Sequence, residues 1–162
     1  MPGAAFGGTR IKSESILTIH VLFGMLGTLA AMWVFVEILN VSEQNRRRMI
    51  RMSIVTAGLI WLSFLFGGYC YLFFYPADKA VILAGPQPWA HSVCMEVKEH
   101  LFFVLLLLAT YLPVIARDRD MIRSRNVRRM ALVVAGSMVF LGLAMGRFGS
   151  MVSLGVRAGL GG

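Results

Sequence analysis

Four unbroken apolar stretches, at about 15–39, 52–75, 92–116 and 130–152, leave this chain few folds. Each is long enough to cross a bilayer as a helix, which takes about 20 residues. In hydrocarbon every backbone N–H and C=O must be satisfied within the protein, so such stretches read as helices. Hydrophobic residues make up 57% of the 162 and charged residues only 15%, a balance unlike that of water-soluble domains. The connections are short, and nothing with the composition of a soluble domain is left over. The sequence predicts an all-α, four-helix transmembrane bundle with no soluble domain, residues 1–162 forming one integral membrane unit in a lipid bilayer.

The second half echoes the first. Arg51-Met52-Ser53-Ile54-Val55-Thr56-Ala57-Gly58 returns as Arg129-Met130-Ala131-Leu132-Val133-Val134-Ala135-Gly136, an offset of 78 that also carries Gly68 to Gly146. Upstream, His20-Val21-Leu22-Phe23 has a looser counterpart in His100-Leu101-Phe102-Phe103, at an offset of 80. The reading is two repeated antiparallel hairpins, each offering one imidazole to the space between them.

The net charge of +8 is concentrated rather than spread. Ten of the sixteen basic residues lie in Arg46, Arg47, Arg48 and Arg51 and in Arg117, Arg119, Arg123, Arg125, Arg128 and Arg129, around the first and third connections. The middle connection has only Lys79, balanced by Asp78. This positive-inside pattern predicts both basic turns in the cytoplasm and both termini outside, with Arg10 and Lys12 weakly opposed. It argues for contact with anionic lipid headgroups and against a nucleic-acid partner. The first span exceeds the apolar length of a signal peptide and has no cleavage site, so a bacterial inner-membrane protein is expected. Cys70 and Cys94 flank the outer loop 76–90, where a disulfide and two separate buried thiols are both open.

Along the chain, Ser13 or Ser15 is placed to cap the first helix, and the glycine-rich first dozen residues read as a loose tail. Residues from Gly155 onward read the same way. Glu37, at the inner end of span one, is expected to pair with the basic turn. The apolar run Val81–Ala84 is too short to span and is expected to lie on the membrane surface or fold over the bundle mouth.

All three histidines fall near one membrane depth. His100 stands 17 residues before Arg117, about 25 Å of helix, and His20 stands 20 before Asn40, about 30 Å. His91 is slightly further out. Ionisable groups in a span are costly and mark function. On a helix Glu96 and His100 are an i, i+4 pair with Ser92 a turn earlier, whereas His91 points 180° from His100. One straight helix therefore cannot aim both histidines at one metal atom, and Lys98 lies on the His91 side, able to snorkel.

These constraints point to haem b. His20 and His100 form the axial pair and so the metal ligands. Glu96 or Glu99 holds a ring nitrogen, Gly68 and Gly146 make room for the porphyrin, and Arg147, Lys98 or Lys79 meets the propionates. The arrangement resembles four-helix membrane b-type cytochromes in general architecture, an analogy of fold and not of motif. It implies electron transfer between quinol and an outer-side redox subunit, with Glu99 or His91 as proton acceptor at the quinol site. No C-x-x-C-H occurs, which excludes c-type attachment.

Two other readings stand beside it. Soft ligands near the outer surface, Cys70, His91, Cys94 and Met95, would suit copper, although no metal-ligand spacing supports them. A chain without large loops also suits a non-catalytic accessory subunit of a larger membrane complex. Hydrolytic and phosphate-loop motifs are absent, and a di-iron carboxylate site fails because Glu37 lies a bilayer away from Glu96 and Glu99.

Overall fold

The computed structural model describes the backbone of residues 3–161 and the side chains of residues 13–161. Among them are five α-helices and no strand: α1 (Gly3–Leu39), α2 (Arg46–Phe73), α3 (Tyr75–Ala84), α4 (Glu96–Ala116) and α5 (Arg125–Gly159). A π-helical turn, Ala90–Met95, leads into α4. Four stretches are long and apolar enough to cross a membrane: Ser13–Leu39, Arg46–Phe73, Ala90–Ala116 and Arg125–Gly159. They are the four predicted spans, and the chain is an integral, multi-pass membrane protein.

The spans pack as a ring, α1 against α2 and α5, and α4 against the same two. Every neighbouring pair is antiparallel. His20 meets Ser63 while the Glu37 carbonyl meets Asn45. Trp61 meets Thr110 while Phe64 stacks on Phe102. Thr28 faces Gly142 while Phe35 faces Gly136, and Cys94 faces Met151 while Ala90 faces Gly155. The result is an up-and-down bundle with α1 and α4 on one diagonal and α2 and α5 on the other. Lipid cannot drive apolar faces together, so close packing has to. Gly24 admits Ser63, Gly27 admits Ile60 and Gly142 admits Thr28. The outward surface is a lipid-facing belt that includes Leu29, Leu107 and Phe140.

The repeat extends to the buried face. Ser53, Thr56, Ile60 and Ser63 of α2 are buried, and so are Ala131, Val134, Met138 and Leu141 of α5, each 78 residues on. The same offset relates buried Ala31, Val34 and Ile38 of α1 to buried Ala109, Leu112 and Ala116 of α4. The two hairpins are thus equivalent about an axis running along the bundle. One offset serves throughout, and it carries His20 to Lys98. The expected match of His20 with His100 is displaced by two residues, about 200° around a helix.

Both basic connections lie at one end. Arg46 Nη2 donates to the Arg117 carbonyl at 2.8 Å. There Glu37, buried, accepts from Arg48 Nε at 2.6 Å and from Trp33 Nε1 at 3.0 Å, the pairing expected for it. Asn45 closes the turn, accepting from the Ser42 N–H and donating to the carbonyls of Asn40 and Glu37. Ser124 caps α5 by accepting from the Val127 N–H.

The far end differs most from expectation. The glycine-rich start is helical from Gly3, since an existing helix extends at little further cost. The expected loose tail from Gly155 is the last part of α5. Gly155 abuts Ala90 and Ile82, and Gly159 abuts Val81. The run Val81–Ala84 belongs to α3, which lies against the end of α5 with Ile82 fully buried. Cys70 and Cys94 are both free thiols, so the open question of a bridge resolves to separate cysteines.

Candidate functional site

Side chains that could carry chemistry collect at the far end, away from the basic connections. His20 sits on the inner side of α1. Its Nδ1 donates to the Ser63 carbonyl at 2.8 Å, since a carbonyl can only accept, and this leaves Nε2 as a free acceptor. The ring lies against Gly67, where a Cβ would overlap it. Gly68, singled out in sequence as the space-maker, has no neighbour within 4 Å of a would-be Cβ, and the same is true of Gly146. The neighbouring glycines that do admit a side chain are Gly67 on α2 and Gly142 on α5.

His100 takes a different place. It is exposed, on the α4 face that also carries Phe103, Leu107 and Val114, and its Nδ1 donates to the Glu96 carbonyl at 2.7 Å. Its Nε2 is also free, but it opens onto a shallow groove lined by Ser92, Val93, Glu96, Val97 and Leu101. The predicted axial pair is therefore not brought together within one chain. On α4 Lys98 is half-buried, and its Nζ lies beside Gly149 of α5. Gly149 lies towards the far end of α5, so the side chain is free to extend outward as expected, and the offset of 78 is what relates its position to that of His20.

A second cluster surrounds His91. The π-turn changes the rotation per residue, so the 100° step that set His91 opposite His100 does not hold there. His91 is buried, and its Nδ1 is 2.9 Å from the Tyr75 hydroxyl in one hydrogen bond. Tyr75 stacks on Tyr71, ring centroids 5.4 Å apart, and Tyr71 lies beside Glu99. Burial, reinforced by the negative charge of Glu99, pushes the Tyr75 phenol up to about 12. The two proposed proton acceptors, Glu99 and His91, thus stand at the ends of one polar row. In the sequence the only sign of the tyrosines between them is the i, i+4 spacing of Tyr71 and Tyr75.

Comparison with protein-family models, with curated proteins and with solved structures found no match. The chemistry rests on these side chains alone. Among the described residues no three His, Cys, Asp or Glu side chains gather as a metal site. Of the soft ligands, Cys94 Sγ lies 3.6 Å from Met151 Sδ, a partner other than Cys70, while His91 is held by Tyr75. Glu96 is exposed in the groove with His100, and Arg147 is exposed on α5.

Proposed function

We propose that this chain is the membrane subunit of an electron-transfer complex, passing electrons between quinol and a redox partner on the outer side. In this reading haem b binds at His100. The observation that carries it is the exposed imidazole with its Nδ1 fixed on the Glu96 carbonyl and its Nε2 free. A metal-ligating histidine has this arrangement, with the second ring nitrogen held by a carbonyl. Because His20 faces inward, His100 is the residue of this chain that would hold the haem, and any further ligand would have to come from an adjoining subunit. Bound haem supplies a one-electron carrier. This chain orients the ligating nitrogen and lines the groove with Val93, Val97 and Leu101. Glu99 and His91, joined through Tyr71 and Tyr75, receive the protons that quinol releases.

The concentration of arginine at one end supports a bacterial inner membrane, with the basic connections in the cytoplasm and both termini outside. The test is an optical spectrum of the chain purified in detergent with whatever accompanies it, oxidised and then reduced with dithionite. A Soret band that sharpens on reduction, with resolved α and β bands, and that disappears in His100→Ala is expected. A featureless visible spectrum overturns the haem assignment. The exposed strip Ser92–Glu96–His100 equally favours a second reading, a non-catalytic accessory subunit whose strip contacts a partner directly. Constant co-purification with another subunit, without a chromophore, would select it.

A further inference from the structure

The arginines at the start of α5 have no acidic partner within the chain. Arg125 and Arg129 are exposed, and among the described residues neither makes an ion pair. The equivalent end of α2 is served by Glu37, which holds Arg48, but the repeat puts Ile115 where Glu37 stands. No acidic residue lies in the first turn of α5 either, and cations there oppose the positive end of the helix dipole. Two guanidinium groups one helical turn apart at the end of a span suit a phosphate, which each can grip with paired N–H groups.

The same face continues into a groove. Arg125, Arg129, Val133, Gly136 and Phe140 follow one another at steps of three and four, so they share one side of α5. Between α5 and α4 that side opens as a groove of about 570 Å³, with Gly136, Ser137 and Phe140 on one wall and Val104 and Leu108 on the other. Gly136 and Ser137 have no bulk to fill it. Arg129 to Phe140 is about 16 Å of helix, close to half of a hydrocarbon core about 30 Å thick. The groove thus runs from the charged end towards mid-membrane, the depth that one acyl chain occupies.

We propose that an anionic phospholipid binds here, its phosphate on Arg125 and Arg129 and one acyl chain in the groove between α4 and α5. An apolar channel continuous with the arginines suits a whole lipid better than a free phosphate. A second copy of the chain is the wrong occupant, because copies of one orientation bring their arginines to the same level and repel. On α2 the equivalent arginines, Arg47 and Arg51, are also exposed, but Leu59 stands where α5 has Ser137. The site is independent of the haem groove and of the electron-transfer reading.

The test takes the full chain in a neutral detergent, titrates it with dioleoyl phosphatidylglycerol and reads retained lipid by native mass spectrometry. Saturable retention of one lipid is expected. Replacing both Arg125→Gln and Arg129→Gln should weaken it about tenfold or more, the scale of lost charge-assisted contacts. Ser137→Phe, which fills the groove and leaves both arginines, should weaken it likewise. Arg47→Gln with Arg51→Gln removes equal charge from α2 and should leave it unchanged. All four arginines are exposed, so these variants keep the fold. Equal weakening in the α2 variant overturns the site, because the attraction would then be diffuse. Phosphatidylcholine retained as strongly as phosphatidylglycerol overturns it too. So does displacement by glycerol 1-phosphate as effective as displacement by the whole lipid, which would mark a bare phosphate site.

Discussion

At the residue scale, glycines close together on one helix behave differently. A Cβ at Gly142 would run into Thr28, whose hydroxyl is already donated to the Gly24 carbonyl at 2.9 Å, and a Cβ at Gly67 would run into His20. We expect Gly142→Ala and Gly67→Ala to cost about 1–3 kcal/mol, the range for forcing extra atoms into a packed interior. Gly68→Ala and Gly146→Ala meet nothing and should be neutral or gain up to about 1 kcal/mol from helix propensity. Thermal unfolding of the four variants in one detergent separates the pairs. A destabilised Gly146→Ala alongside an unaffected Gly142→Ala would mean that the α1–α5 contact is misplaced. The same local precision explains the histidines, since two residues along α4 separate a half-buried lysine beside α5 from an exposed imidazole.

At the element scale, the far end depends on α3 and the π-turn. Their contact is held by the Tyr75–His91 hydrogen bond and by the approach of α3 to Gly155 and Gly159. Tyr75→Phe leaves the His91 ring nitrogen unpaired in a buried place, and we expect a loss of about 1–3 kcal/mol. The natural chain should then show a pH dependence that the variant lacks. The Tyr75 phenol titrates near 12 when folded and near 10 when unfolded, so its folded state favours the neutral form. Stability from this group is complete below about pH 10 and falls as pH rises from about 10 towards 12. The melting temperatures of the natural chain and Tyr75→Phe should converge over that window. A constant difference would show that the phenol is not buried as described. Gly155→Leu should detach α3 while leaving the four spans intact, which limited proteolysis within 76–90 would report.

At the scale of the whole molecule, the contact of Arg46 with the Arg117 carbonyl puts both basic connections on one side. With Cys70 and Cys94 replaced by serine, Glu43→Cys and Arg123→Cys should be protected together from an impermeant thiol reagent applied to intact cells. Lys79→Cys should react. Labelling of Glu43→Cys without Arg123→Cys would break the up-and-down order. The two hairpins, equivalent about a common axis, also carry unlike side chains at matching positions, His20 and Lys98. A repeat that is regular in its packing is in this way asymmetric in its chemistry.

The sequence by itself determined the number of spans, the hairpin order, the clustering of charge and the pairing of Glu37 with the basic turn. All of these follow from lengths and periods that any lipid-embedded helix must obey. It also held the true offset of 78, visible in Arg51–Gly58 and Arg129–Gly136, but a chance likeness around the histidines hid it upstream. Only the tertiary structure decided which face each polar side chain takes. A helix of apolar residues on all sides has no inward face until its neighbours choose one. The tertiary structure likewise decided that 90–95 winds as a π-turn and that the glycine-rich end of α5 is packed. Those features go with the contacts of α3 with α5 and of Tyr75 with His91, between separate segments of the chain, which no local period encodes.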